Sequence, residues 1–267
     1  MSRLAIIAGA GDLPAELISH LRERPLVCAV EGYDPAGVTP DLTFRIERLV
    51  PLLRHLTDAG VDAVVFAGAV HRPRFDPGLF DPETAALMPR LLPAMWQGDD
   101  AILRAVIAVF EEHGLPVRGL ADCAPGLLAA EGVFGATKPS DAAQSDGARG
   151  IEILRRLAPL DLGQGCVVAG GLCLGVEALY GTDAMLAHIA ACRDQREPRS
   201  GGVFVKRAKD GQEMRIDLPA IGPATIEAAR AARLGGICLH AGRVVILRRT
   251  ETLALADAAG IALWSVP

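Results

Sequence analysis

Short apolar runs alternate with helix-like segments through the first third of the chain. The runs RLAIIAG, PLVCAVEG and VDAVVFAG have the length of buried strands. The segments LPAELISHLRER and PLLRHLTDAG lie between them and repeat apolar residues at helical spacing. Strands and helices that alternate in this way form a parallel sheet covered by helices. The sequence therefore predicts an α/β protein whose N-terminal part is Rossmann-like.

A similar alternation continues through the rest of the chain. Helices are predicted in PETAALMPRLLPAMW, DDAILRAVIAVFEEHG, RGIEILRRLA, TDAMLAHIAAC and ATIEAARAARL, and strands in PVRGLADC, GCVVAGGLCLGV, GGVFVKRAK, GGICLHAGRVVIL and IALWSV. The segment GVFGATKPSDAAQSDG loses periodicity and collects Gly, Pro, Ser and Asp, which is typical of a connection. We therefore predict two α/β domains: a Rossmann-like domain at 1–132, a linker at 133–147 and a catalytic domain at 148–267.

Composition excludes several classes of function. Aromatic residues make up only 4% of the chain and the formal net charge is -5, which argues against nucleic-acid binding. The six cysteines include no CxxC pair, so reduced thiols are expected rather than a zinc site or a disulfide scaffold. The first residues do not resemble a signal peptide, and the longest uncharged stretch is shorter than the roughly 20 apolar residues of a membrane span. These features predict a cytoplasmic protein.

Glycines follow the first predicted strand. Gly9, Gly11 and Asp12 lie between that strand and a helix, where backbone N–H groups and the helix dipole can hold a phosphate. Glu31 lies at about the distance at which dinucleotide-binding folds present an acid to a ribose, but Pro14 replaces the third glycine of that pattern. A tight turn with Asp12 as a helix cap explains the same residues. A nucleotide site and a structural turn both stay open.

Further candidates lie in the first half of the chain. Gly68 and Arg72 follow the strand VDAVVFAG, at the end of a strand where α/β sheets bind ligands, so Arg72 is a candidate contact for phosphate or uracil. Asp99 and Asp100 precede a helix, and capping that helix requires only one of them. The segment from Met88 to Trp96 offers apolar side chains of which a subset can face lipid.

Carboxylates and cations recur near glycines in the second half. Hydrolysis of a phosphoanhydride needs a hard cation, a carboxylate that positions water, and Lys or Arg on the non-bridging oxygens. Asp217, Lys206 and Arg215 can fill these roles. Ordinary surface charges explain each of them as well.

Seven ordered segments resemble the LpxI-type UDP-2,3-diacylglucosamine pyrophosphatase family. They are IAGAGDLP, FAGAVHRP, QGDDAILR, DLGQGCVV, GVEALYGTDAML, GVFVKRAK and RIDLPAIGPATI, and they span nearly the whole chain. The resemblance implies a two-domain homodimer that uses Mg²⁺ or Mn²⁺ to hydrolyse UDP-2,3-diacylglucosamine to UMP and 2,3-diacylglucosamine 1-phosphate (lipid X) in lipid A biosynthesis. It also implies transient contact with the cytoplasmic face of the inner membrane, because the substrate is a lipid.

The resemblance also implies roles for individual residues. Asp217 matches the essential aspartate of the family, as metal ligand or activator of water, with Arg215 and Lys206 as further catalytic residues. Asp146 is similar to an acidic position that precedes the DLGQG segment. The residues expected to bind substrate are Gly9, Gly11, Asp12, Gly68, Arg72, Asp99, Asp100, Lys138, Gln164, Glu177, Gly181, Thr182, Asp183 and Thr225.

Two other functions compete with this expectation. Gly9, Gly11 and Glu31 would also suit a Rossmann-type oxidoreductase that uses NAD(P). A nucleotide-binding protein without catalytic activity is the other alternative, because phosphate cradles bind ligands without turnover.

Overall fold

Two compact units make up the chain. A computed structural model describes residues 3–71 and 74–267. The first unit comprises Met1–Gly126 together with Glu213–Asp217, and the second comprises Leu127–Gln212 and Leu218–Pro267. Both units are α/β, which confirms the predicted fold class. No helix in the described part of the chain has both the length and the apolar character needed to cross a membrane.

The first unit is built on a five-stranded sheet. Its strands are β1 (Leu4–Ala8), β2 (Leu26–Val30), β3 (Leu42–Phe44), β4 (Ala63–Ala67) and β5 (Val117–Arg118). They are all parallel and lie in the order β3-β2-β1-β4-β5. This arrangement confirms the Rossmann-like prediction. The helices are α1 (Leu13–His20), α2 (Leu49–Asp58), α3 (Pro82–Trp96), α4 (Asp99–Glu112) and α5 (Leu120–Cys123).

Helices bury apolar residues against this sheet. Leu53 of α2 and Phe110 of α4 share one core cluster with Ala5 and Val64 of the sheet. The partly buried Ile216, from the segment Glu213–Asp217, packs against the same cluster. This core is therefore in contact with a residue about 100 positions later in the chain than the last strand of its sheet.

The second unit contains a six-stranded mixed sheet. The strands of this unit are β6 (Gly132–Phe134), β7 (Gly165–Ala169), β8 (Leu172–Val176), β9 (Val203–Lys206), β10 (Ala220–Ile221), β11 (Gly236–His240), β12 (Val245–Ile246) and β13 (Ala262–Val266). The six-stranded sheet has the order β6-β13-β11-β9-β7-β8, and β9, β11 and β13 are parallel to one another. Strand β7 runs antiparallel to β8 and β9, and β6 runs antiparallel to β13. A separate parallel pair joins β10 and β12. The helices of this unit are α6 (Asp141–Leu157), α7 (Gly181–Cys192), α8 (Pro223–Ala231) and α9 (Arg249–Ala258).

Helix α6 lies close against this sheet. A Cβ atom on Gly150 would collide with Val205 of β9, and one on Gly147 would lie 3.0 Å from Trp264 of β13. The two glycines therefore allow the helix to approach the strands. Helices α7, α8 and α9 contribute to a separate core cluster that includes Leu186 of α7.

The unit boundary differs from the predicted linker at 133–147. That range contains part of β6 and the first residues of α6, and the division of the chain falls between Gly126 and Leu127. Ser140 accepts a hydrogen bond from the N–H of Ala143 and so caps α6. The Gly, Ser and Asp residues that predicted a connection here begin a helix instead.

Candidate functional site

The glycine loop after β1 uses its N–H groups within the protein backbone. Gly9 donates to the carbonyl of Ala67 at 2.8 Å, Ala10 donates to Ala69 at 2.9 Å, and Gly11 donates to Asp34 at 3.1 Å. The last residue of β4 and two neighbouring loops therefore supply the acceptors of these N–H groups. Binding of substrate by Gly9 and Gly11 stays a prediction.

The same loop requires glycine for steric reasons. A Cβ on Gly9 would lie 2.6 Å from the carbonyl oxygen of Ala69, and one on Gly68 would lie 2.7 Å from the carbonyl carbon of Gly9. The loops that follow β1 and β4 therefore cross in close contact. Asp12 occupies the N-cap position of α1, where its side chain makes no capping hydrogen bond.

Glu31 and Arg72 were also candidates to bind ligand at the carboxyl edge of the first sheet. Glu31 follows β2, and its Oε1 accepts from Nη1 of Arg45 at 2.7 Å, so the acid expected at a ribose forms an exposed ion pair. Arg72 lies outside the described residues.

The segment Glu213–Asp217 belongs to the first unit, although the predicted boundary placed it in the second. Glu213 is buried, and its carboxylate accepts from Nε and Nη2 of Arg215 at 2.9 Å each. Arg215 Nη1 also donates to Glu111 of α4 at 2.8 Å. The Arg215 guanidinium holds the pKa of Glu213 below its ordinary value. Arg215 thus anchors the segment to α4, which differs from its predicted contact with phosphate.

Helix α4 provides the other half of this anchor. Asp100 accepts from the backbone N–H of Glu213 at 2.7 Å and pairs with Arg104 at 2.7 Å. Arg104 Nη1 also lies 3.6 Å from Glu213. Asp99 is the exposed first residue of the helix. Asp100 therefore holds the segment in place by hydrogen bonding.

Asp217 lies at the end of this anchored segment. Its N–H donates to the carbonyl of Glu213 at 3.3 Å, and the residue is half-buried. Two residues earlier, Arg215 packs against Gly119: a Cβ on Gly119 would lie 3.6 Å from the Cα of Arg215. Gly119 directly follows β5, so the segment lies at the carboxyl edge of the parallel sheet, where α/β folds bind ligands.

Asp217 is the predicted metal ligand. The described residues contain no group of three or more His, Cys, Asp or Glu side chains placed to hold a metal ion. Mg²⁺ commonly takes one or two carboxylates and completes its shell with water and phosphate oxygens. The donor chemistry of Asp217 therefore fits a Mg²⁺ ion that shares its ligands with a phosphorylated substrate.

A polar cluster occupies the carboxyl edge of the second sheet. Lys206, the last residue of β9, donates from Nζ to Oε2 of Glu177 at 2.8 Å and to Oγ1 of Thr182 at 2.5 Å. Thr182 donates to the same Glu177 oxygen at 3.1 Å. The Lys206 and Glu177 side chains are only 7% and 12% exposed. Residues predicted from two separate segments therefore form one nearly buried group.

The glycines of DLGQG make room for this group. A Cβ on Gly163 would collide with the backbone of Glu177, and one on Gly165 would lie 2.6 Å from the Glu177 carboxylate. Gly163 donates to the carbonyl of Glu177 at 3.1 Å, and Glu177 donates to that of Gly165 at 2.8 Å. The carbonyl of Gln164 accepts from Arg207. The DLGQG segment thus forms the wall behind Glu177.

Among the described residues, four other predicted residues of this unit form no hydrogen bond or ion pair with Lys206 or Glu177. They are Lys138, Gly181, Asp183 and Thr225. Asp183 is exposed in the first turn of α7, next to Thr182, and Gly181 begins that helix. Lys138 is exposed between β6 and α6. Thr225 is buried and its Oγ1 accepts from the N–H of Gly222, which caps α8.

Asp146 has a structural role in the hairpin of β7 and β8. This buried carboxylate accepts from the N–H of Gly170 at 3.0 Å and of Gly171 at 2.7 Å. Both glycines have positive φ angles in the turn. Asp146 therefore fixes a turn that few residues other than glycine adopt.

His240 is a candidate that sequence analysis missed. It ends β11, and its neighbour Leu239 pairs with Lys206, so it lies at the same edge of the sheet. Burial, with Arg207 nearby, lowers the pKa of His240 to about 4. Its Nδ1 is buried and has no hydrogen-bond partner among the described residues. A histidine at the carboxyl end of a predicted strand was the only signal in the sequence.

Comparison with known proteins decides the family. The model of the LpxI N-terminal domain matches residues 3–127, and that of the LpxI C-terminal domain matches residues 130–264. The chain belongs to the LpxI family. This LpxI-family chain is also 37% identical to the "UDP-2,3-diacylglucosamine pyrophosphatase LpxI" of Caulobacter vibrioides, in an alignment that covers 100% of this chain and 98% of that protein. The predicted family is therefore confirmed.

Proposed function

We propose that this protein hydrolyses the pyrophosphate of UDP-2,3-diacylglucosamine to UMP and 2,3-diacylglucosamine 1-phosphate (lipid X), as a step of lipid A biosynthesis. The observation that carries this proposal is the similarity to the Caulobacter vibrioides pyrophosphatase over the whole length of both chains. The polar groups at the carboxyl end of β5 in the first sheet and of β9 in the second agree with it, because ligands of α/β sheets bind at such strand ends.

Asp217 is the proposed centre of the chemistry. Its carboxylate either binds a divalent cation or orients the attacking water, and both roles need a fixed direction. The Glu213–Arg215–Glu111 ion pairs supply that fixed direction through the backbone of the segment. Arg215 is accordingly a positioning residue in this proposal.

Mg²⁺, or Mn²⁺ in its place, is the proposed cofactor. When bound, it would neutralise charge that develops on the phosphate oxygens. Asp217 is the residue of this chain that would hold it, in company with the substrate phosphates.

A buried cation, Lys206, lies within the second unit. Among the described residues, Glu177 and Thr182 accept from the Lys206 ammonium, which leaves one of its three N–H groups for a phosphate oxygen. The negative Glu177 fixes the direction of that ammonium. Lys206 thus fits a role in holding a phosphate group, with Gln164 and Thr182 beside it.

A homodimer stays a prediction.

Product analysis tests the proposal. The protein is incubated with UDP-2,3-diacylglucosamine in detergent micelles with Mg²⁺, with Mn²⁺ or with EDTA, and UMP and lipid X are quantified by mass spectrometry. We expect equal amounts of both products with either metal and none with EDTA. Absence of UMP with every divalent metal would refute the proposal. Binding of NAD(P)H would then favour an oxidoreductase, and binding of UDP without turnover would favour a nucleotide-binding protein.

A further inference from the structure

Four exposed apolar side chains stand on two adjacent loops of the second unit. They are Leu160 and Leu162, before β7, and Leu179 and Tyr180, before α7; we call them the loop-tip patch. Leu160, Leu179 and Tyr180 are 67%, 89% and 86% exposed. A hydrogen bond from the N–H of Gly163 to the carbonyl of Glu177 joins the two loops, which brings their tips together. The four side chains therefore lie on two loops that are joined at their bases, at one end of the sheet.

Such a patch is unfavourable unless something covers it. Isolated exposed apolar residues are common on protein surfaces, whereas grouped ones mark an interaction surface. Leu172 provides the contrast within the same unit: it is 59% exposed, but it stands at the opposite end of the β7–β8 hairpin from Glu177. The loop-tip patch thus differs from Leu172 because its apolar side chains occur together on two joined loops, whereas Leu172 is exposed apart from them.

Cations border the patch on one side. Arg155 and Arg156 form the last turn of α6, and the short 3₁₀ turn that carries Leu160 follows directly. Arg155 is exposed, and the Arg156 side chain is 79% exposed with Glu152 as its partner. Lys209 pairs with Asp161 between the two leucines, which neutralises the single acid of that loop. The arginines therefore place positive charge beside the tip that carries Leu160, while the exposed Asp183 follows the tip that carries Leu179 and Tyr180.

We infer that the loop-tip patch docks on the surface of an anionic lipid bilayer. Leucine side chains enter the boundary between headgroups and acyl chains, tyrosine prefers the same depth, and neighbouring arginines attract anionic headgroups. Leu179 and Tyr180 lie between Glu177 and Thr182 in the chain, so docking would hold the loop that carries these two partners of Lys206 at the bilayer surface. This inference rests on the proposed function in one respect: the lipid substrate is the reason to expect a membrane surface as the partner.

Vesicle binding tests the inference. The full-length protein is sedimented with vesicles of phosphatidylglycerol and phosphatidylethanolamine, and with vesicles of phosphatidylcholine alone. We expect binding to the anionic vesicles and at least about tenfold weaker binding after the double change Leu160→Asp/Leu179→Asp, because two apolar anchors are lost. The double change Arg155→Gln/Arg156→Gln should weaken binding to anionic vesicles without affecting that to phosphatidylcholine.

The matched control is Leu172→Asp, which places the same charge at a comparably exposed leucine away from the patch. It should bind vesicles like the unmodified protein. Equal vesicle binding by Leu160→Asp/Leu179→Asp and the unmodified protein would overturn the inference. A change in molar mass in solution caused by that double variant would also overturn it, since a second copy of the chain would then be the partner.

Hydrolysis in detergent micelles separates this inference from the proposed function. The patch variants should retain hydrolysis there, since they do not touch the proposed catalytic groups. Vesicle binding without hydrolysis would leave docking standing and refute the proposed function. Hydrolysis in micelles without vesicle binding would refute docking alone.

Discussion

Removal of the Lys206 ammonium should destabilise the second unit strongly. Lys206 and Glu177 lie 2.8 Å apart with side chains only 7% and 12% exposed. The change Lys206→Met keeps most of the apolar stem but leaves the Glu177 carboxylate nearly buried, with Thr182 as its remaining side-chain donor. The burial of an unpaired charge is far more costly than the loss of an exposed ion pair.

The magnitude follows from the burial of the pair. Loss of one partner of a buried pair typically costs about 3–5 kcal/mol, and the partial exposure of Glu177 favours the lower end, about 3 kcal/mol. With a slope of about 2 kcal/mol per molar urea, the midpoint should fall by about 1.5 M. The double change Lys206→Met/Glu177→Gln should recover stability to within about 1 kcal/mol of the unmodified protein, because no buried charge is then left unpaired.

Tryptophan fluorescence can follow the second unit alone. The chain has two tryptophans, of which Trp96 is in the first unit and Trp264 is buried in the second. Urea unfolding in a Trp96→Phe background therefore reports the second unit through Trp264. A loss of less than about 1 kcal/mol in the free energy of unfolding for Lys206→Met would refute the claim that the buried pair stabilises this unit. A double variant no more stable than the single one would refute it as well.

Three further predictions follow from named contacts. Glu213→Gln should lower kcat by about tenfold to hundredfold with little change in KM, because Arg215 loses its bidentate partner and Asp217 its fixed direction; steady-state hydrolysis measures this. The pKa of His240 is about 4 in the folded protein and near 6.5 when unfolded, so stability should fall as pH drops from about 6.5 towards 4. His240→Gln should remove roughly 1–2 kcal/mol of that fall, as urea unfolding at pH 7.5 and 4.5 would show. Gly163→Ala should destabilise the protein by about 2–3 kcal/mol in the same assay, because its Cβ would meet the backbone of Glu177.

Matched variants control the Glu213→Gln and Gly163→Ala experiments. Glu227→Gln removes the acid of an exposed ion pair with Arg230 and should leave kcat unchanged. Gly235→Ala adds a Cβ that would lie 3.9 Å from the carbonyl oxygen of Gly202, an ordinary van der Waals contact, so it should cost little stability. Unchanged stability of Gly163→Ala, a pH dependence of stability that persists in His240→Gln, or a kcat loss in Glu213→Gln no larger than that in Glu227→Gln would contradict the corresponding prediction.

Local patterns in the sequence predicted most of the fold. The runs that became β1, β2 and β4 are short and uniformly apolar, because parallel strands are buried on both faces. Strands of two or three residues, such as β3 and β10, leave too few positions for a pattern. Helix α6 began earlier than expected, since a serine cap and close packing on the sheet outweighed the poor helix propensity of its glycines.

Contacts between distant residues limited prediction of the candidate site. Glu177 and Thr182 were chosen from one segment and Lys206 from another, and the register of β7, β8 and β9 brings Lys206 next to Glu177. The assignment of Glu213–Asp217 to the first unit depends on Asp100 and Glu111, more than 100 residues earlier. The N–H group of Gly9 has its acceptor on the last residue of β4, and that of Gly11 has its acceptor on the loop after β2, which no local glycine pattern reveals.

The most direct test of the account compares Asp217→Asn with the unmodified protein. UMP release from UDP-2,3-diacylglucosamine is measured with Mg²⁺ after unfolding curves have established that the variant is folded. We predict a loss of at least about hundredfold in kcat, because the amide can neither bind a cation strongly nor accept a proton from water. Hydrolysis by folded Asp217→Asn at the rate of the unmodified protein would contradict the central claim.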